Sequence, residues 1–148
     1  MNSKWKHLLA GLLFFLLSTP FAFSEGATRT LVTVIVASNQ GSGFDLDNDA
    51  YRDELIKLFS YPSYRQIKAY ALNLEKGKET TLQLPEGYVL TLTLIREEGE
   101  KALVQASIRG NGKEYLNTVL SILKPGTVFL GGPPVQEGVL ILALEAGY

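Results

Sequence analysis

Five acidic side chains crowd one stretch of this chain: Asp45, Asp47 and Asp49 alternate, and Asp53 and Glu54 follow close behind. Hard carboxylate oxygens at this spacing can ligate Ca²⁺. Ala50, however, stands where a calcium loop needs glycine for its sharp turn, and Ile56 where it needs the bidentate glutamate. The acids fit better as residues that cap and charge a helix start, where negative charge meets the positive end of the helix dipole. Weak calcium binding by Asp45, Asp47, Asp49 and Asp53 is the alternative. Glycoside hydrolysis would need two carboxyl groups held across a cleft. Nothing here places the second one, because Asp53 and Glu54 are neighbours on one helix and point to different sides.

Two further groups could contact a ligand or a partner. Phe44, Phe59, Tyr61 and Tyr64 cluster around Arg65, and aromatic faces beside a loop can stack on sugars or peptides, although the same rings also suit the end of a core. Gly131, Gly132, Pro133 and Pro134 form a loop-like stretch, continuing to Gly138, whose exposed backbone could meet another protein. Neither this stretch nor Gly41-Ser42-Gly43 is a phosphate loop, since the third glycine of the dinucleotide fingerprint and the Lys-Ser/Thr ending of the nucleotide loop are both missing.

Composition narrows the chemistry further. Met1 to Ser24 reads as a secretory signal peptide: Lys4, Lys6 and His7 form the positive end, Leu8 to Leu17 the apolar run, and Ala22-Phe23-Ser24 a small-x-small cleavage site. A membrane anchor would need about 20 apolar residues, and Ser18, Thr19 and Pro20 interrupt the run too early. The single His lies inside this segment and Cys is absent throughout. The mature chain of residues 25–148 is therefore expected to hold no zinc or copper site of the usual kind, no thiol nucleophile, no Ser/His/Asp triad, no disulfide and no cofactor. Removing Lys4 and Lys6 from the 14 basic residues leaves 12 against 15 acidic ones, a formal charge of −3. That balance argues against a nucleic-acid partner or an anionic membrane surface.

The elements that must position these residues are organised around Leu31 to Phe59. Leu31 to Ala37 is apolar or β-branched on both faces, as in a strand covered on two sides. After the Ser38 to Gly43 turn, Asp47 is the expected N-cap of a helix reaching Phe59, with Leu46 and Tyr51 as a hydrophobic staple and Tyr51, Leu55, Leu58 and Phe59 as its apolar stripe. Ser63 to Leu72 is a second strand, with Ile67 and Ala69 inward. Its long connection to the first is consistent with a parallel pair and a right-handed crossover. Strands follow at Thr80 to Leu84, Tyr88 to Ile95, Ala102 to Arg109, Glu114 to Leu123, Thr127 to Leu130 and Val139 to Leu144, with Asn111-Gly112 a two-residue hairpin signal.

Taken together, Ala37-Ser38-Asn39, the acidic helix ending in Leu58-Phe59 with Tyr64-Arg65 behind it, Leu84-Pro85, Leu130-Gly131-Gly132-Pro133 and Gly138-Val139-Leu140-Ile141 resemble a loose group of secreted bacterial proteins of unknown function. The resemblance implies no activity. The closing Tyr148 after an apolar strand is a feature shared with outer-membrane barrels, but the expected strands are mostly shorter than the nine to eleven or so residues needed to span, and aromatic girdles are missing. The expected fold is one α+β domain, an antiparallel-rich sheet or sandwich of seven to eight strands with one amphipathic helix after the first strand. Its expected core is Val32, Val34, Val36, Leu55, Leu58, Phe59, Leu90, Leu92, Val104, Ile108, Val119, Leu140 and Leu142. The expected function is that of a non-catalytic periplasmic or secreted module with a protein partner. A small-ligand or carbohydrate binder using Phe44, Tyr61, Tyr64 and Arg65 comes second, and a carboxylate hydrolase third.

Overall fold

The computed structural model describes residues 26–148, so the expected signal peptide lies outside the described residues. The described chain contains nine strands: β1 (Ala27–Ser38), β2 (Gly43–Asp45), β3 (Ser63–Glu75), β4 (Glu79–Gln83), β5 (Val89–Glu98), β6 (Lys101–Gly110), β7 (Lys113–Leu123), β8 (Gly126–Val135) and β9 (Gly138–Ala146). One α-helix, α1 (Tyr51–Leu58), follows the short β2. A five-stranded sheet in the order β2-β3-β1-β9-β8 packs on a four-stranded sheet in the order β4-β5-β6-β7. All pairings are antiparallel except β2 with β3. The strands are longer than the sequence suggested, seven of them having nine residues or more, yet they divide between two sheets with free edges rather than closing into one ring.

Alternation explains the two cores. β1 and β9 are central and apolar on both faces. Val32, Val34, Val36, Leu140, Leu142 and Leu144 point between the sheets, against Leu90, Leu92, Leu94, Val104 and Ile108. Ile35, Ala37, Ile141 and Ala143 point the other way, beneath Tyr51 and Leu55 of α1. Each fully buried aliphatic side chain contributes about 1.5–3 kcal/mol, so the inter-sheet core is the larger source of stability. At one end of the sandwich the Glu97 carboxylate accepts a hydrogen bond from the Thr28 hydroxyl (2.5 Å) and pairs with Lys124 (3.0 Å), joining the two sheets.

Several expectations need correction. β3 runs antiparallel to β1, because the helical excursion returns the chain on the same side rather than crossing over. Ile67 and Ala69 are exposed rather than inward. The register passes from Val34 opposite Lys68 to Ile35 opposite Gln66, leaving Ile67 as the extra residue of a bulge. A one-residue insertion reverses side-chain parity, so Tyr64 faces the helix while Leu74, also even-numbered, faces the other sheet. Leu58 is exposed because α1 is only eight residues long and Phe59 has already turned to extended backbone. Val119 is exposed because it lies on the outer side of the four-stranded sheet, opposite the inward Ile122.

The helix start differs as well. Ala50 occupies the N-cap without a side-chain cap. Asp47 is drawn instead to β3, where its backbone N–H donates to Gln66 Oε1 (3.1 Å) and its carboxylate accepts from Gln66 Nε2 (2.7 Å). Asn48 Oδ1 accepts the Ala50 N–H at 3.0 Å. Gly131 to Pro134 is not a free loop but part of β8, where the pairing with β9 is interrupted between Gly131 and Pro134. Prolines are tolerated there because β8 is an edge strand with no second neighbour to donate to. The Asn111-Gly112 turn forms as expected, with φ of 51° and 72°. Gly138 is required by close approach, since a Cβ there would lie 1.9 Å from the Ala37 carbonyl oxygen.

Candidate functional site

Phe44, Tyr61 and Tyr64 are brought together. Phe44 stacks on Tyr64 with ring centroids 5.1 Å apart, and Tyr61 meets Tyr64 edge-on at 6.4 Å. Tyr64 is the centre of this group and is fully buried. Its hydroxyl lies 3.2 Å from the Leu55 carbonyl and 3.1 Å from the Phe59 carbonyl, and it accepts the Tyr61 N–H at 3.3 Å. The group therefore ties the end of α1 to β3, with the Tyr64 hydroxyl serving the Phe59 carbonyl just past the helix. Burial raises the Tyr64 pKa above 10.0. Only Phe44 and Tyr61 keep partly exposed faces.

Arg65 does not join that cluster. It follows Tyr64 in the strand, so its side chain leaves by the opposite face, and it pairs with Glu137 in the two-residue turn between β8 and β9. Two shallow recesses of about 230 and 170 Å³ flank the pair. Both partners are about half exposed or more, and an ion pair of that kind adds little stability. Pro134 is nearby in this hairpin, where its carbonyl accepts the Tyr88 hydroxyl at 3.2 Å. Pro133 is buried, and Gly131 and Pro134 are exposed. The Phe44, Tyr61 and Tyr64 group is thus separate from Arg65, while Gly131 lies beside the Phe59 ring, 3.5 Å from where its Cβ would be.

A further groove involves Tyr51 and Glu145, which the sequence did not single out as a site. It opens between α1 and β8, with a volume of about 540 Å³. Tyr51 and Glu145 lie on its floor, with the Tyr51 hydroxyl donating to Glu145 Oε2 at 2.9 Å. Phe129 meets Tyr51 edge-on at 5.2 Å. Burial, followed by the hydrogen bond to and the charge of Glu145, raises the Tyr51 pKa above 10.0, so it is a neutral donor at physiological pH. A signal was available: Glu145 is the one ionisable side chain in the otherwise apolar β9.

The sheet edges form the remaining candidates. β2 and β4 have three and five residues. β8 carries two prolines and a pairing irregularity, and β3 a bulge and Lys68. These features discourage strand addition. β7 has them only at its start, where Lys113 and Glu114 are charged and Tyr115 is the extra residue of a bulge; from Leu116 to Leu123 it pairs with β6 without interruption and has neither charge nor proline. Among the described residues three of the seven exposed large apolar side chains, Tyr115, Val119 and Leu123, lie on this strand and mark it as the apolar edge.

Among the described residues no three acidic side chains converge into a group able to hold a metal ion, and Asp45, Asp47, Asp49 and Asp53 are all exposed. No helix among them is long and apolar enough to cross a membrane. Comparison with family models, with curated proteins and with solved structures returns no match.

Proposed function

We propose that this chain is an exported, non-catalytic module, periplasmic or secreted, that binds a protein partner by accepting an extended segment along β7. The Leu116 to Leu123 part of this edge, free of charge, proline and bulge, carries this reading. A free strand edge offers a row of backbone donors and acceptors, and an added strand satisfies them while side chains on alternate positions set specificity. The partner segment is itself extended, with apolar residues placed to meet Tyr115, Val119 and Leu123. The absence of Cys throughout and of His beyond His7 supports action by contact rather than turnover.

The edge can be closed without disturbing the core, because Val119 is 50% exposed. Val119→Lys places a charge on the strand, a device that natural edges use against pairing. In pull-downs from envelope extract, a partner retained by the wild-type chain is expected to be lost with Val119→Lys and kept with a control substitution at exposed Ile67. Binding is also expected to slow hydrogen exchange at β7 amides. Equal capture by Val119→Lys, or protection elsewhere with β7 unaffected, would refute the assignment.

A further inference from the structure

We propose that the groove between α1 and β8 is a binding site for a small amphipathic organic cation, an aryl- or alkylammonium ion. Its volume of about 540 Å³ falls within the roughly 300–1,000 Å³ of small-molecule sites. The walls are apolar at Leu58 and Phe129, while Glu145 and Glu54 supply carboxylates and Asn48 an amide. No Lys, Arg or His lines it. Glu54 is ion-paired with Lys57 at 3.2 Å, which leaves Glu145 as the available anion. Among the described residues Glu145 makes no ion pair; its recorded side-chain hydrogen bond is the one from Tyr51. Arg29 precedes Leu31, the β1 partner of Glu145, by two positions, but its guanidinium sits over the Tyr148 ring, 4.8 Å from the centroid.

The chemistry of these groups is complementary to such a ligand. A carboxylate already holding one hydrogen bond retains acceptor capacity for an ammonium N–H. The partly exposed Phe129 ring beside it offers a negative π face to the same charge, and Leu58, 55% exposed at the mouth, gives an apolar tail a surface to cover. A carboxylate ligand would meet the like charge of Glu145 and no lining cation. This site lies on the outer face of the five-stranded sheet and is independent of strand addition to β7 in the other sheet.

The test uses three aromatic probes of similar shape: phenethylammonium, neutral phenethyl alcohol and anionic phenylacetate. Titrations of the 15N-labelled chain are followed at the backbone amides of Tyr51, Phe129 and Glu145. Phenethylammonium is expected to give saturable shifts with a Kd on the order of 1 mM, the alcohol to bind at least about tenfold more weakly, and phenylacetate to give none. Glu145→Gln keeps an acceptor for the Tyr51 hydroxyl but removes the charge, and should weaken the ammonium at least about tenfold. Leu58→Lys alters an exposed position and should abolish binding without lowering thermal stability. Equal binding of the alcohol, unsaturable shifts with the ammonium, or an affinity within twofold of wild type in Glu145→Gln would overturn the proposal.

Discussion

Replacing Tyr64 with Phe removes one oxygen from the most enclosed aromatic side chain among the described residues and leaves its ring in place. That oxygen accepts the Tyr61 N–H and lies within reach of the Leu55 and Phe59 carbonyls. One hydroxyl proton serves only one carbonyl at a time, and Leu55 O already accepts the Phe59 N–H at 2.9 Å. The carbonyl stranded by the substitution is therefore that of Phe59. A neutral hydrogen bond lost at a buried site costs about 1–2 kcal/mol, and the 3.3 Å contact from Tyr61 adds little. For a domain of this size the loss corresponds to a Tm lowered by about 4–8 °C. Tyr64→Ala, which also removes the ring stacked on Phe44, should cost about 3–5 kcal/mol. Chemical denaturation followed by circular dichroism gives the magnitude, and hydrogen exchange gives the location, with faster exchange expected in α1 than in β5 and β6. A Tm unchanged within about 1 °C, with α1 exchange unaltered, would refute the view that Tyr64 clamps the helix to β3.

Two further predictions concern pH. Tyr51 and Tyr64 have folded-state pKa values above their ordinary 10.0, so the folded state holds these protons more tightly. Their contribution is complete below about pH 10 and is lost as pH rises through the folded values. Tyrosinate absorbance should accordingly show a component titrating above 10.0, to which Tyr88, raised by its contact with the Tyr115 hydroxyl, also contributes, with stability falling over the same range. Glu97 titrates below its ordinary 4.5, chiefly through the Thr28 hydroxyl and then Lys124. The stability it supplies is present above about pH 4.5 and is lost as pH falls through the lower folded value. Glu97→Gln should flatten that part of the acid limb in denaturant melts, and an unchanged acid limb would dissociate this carboxylate from the joint between the sheets.

The strands were legible where alternation was clean. Leu31 to Ala37 and Val139 to Leu144 are apolar on both faces, which requires a layer on each side, and the structure supplies the second sheet on one side and α1 on the other. Asn111-Gly112 announced its hairpin because few other residue pairs tolerate two consecutive positive φ angles. Local pattern also implied one short amphipathic helix, through the spacing of Tyr51 and Leu55. What local pattern could not show was the consequence of one extra residue. Nothing about Ile67 marks it as a bulge, yet that bulge decides that Tyr64 lies under the helix and not between the sheets. Leu58 and Val119 were apolar at plausible spacings, but whether a layer covers them depends on how far α1 reaches and on which strand ends each sheet. The same holds for the candidate sites. Tyr51 and Glu145 are 94 positions apart, and the free edge of β7 exists only because no strand follows it in the sheet order. Side-chain chemistry and strand propensity are local properties and can be read from the sequence; edge, groove and bulge depend on what each residue meets across the fold, and only the tertiary structure decides that.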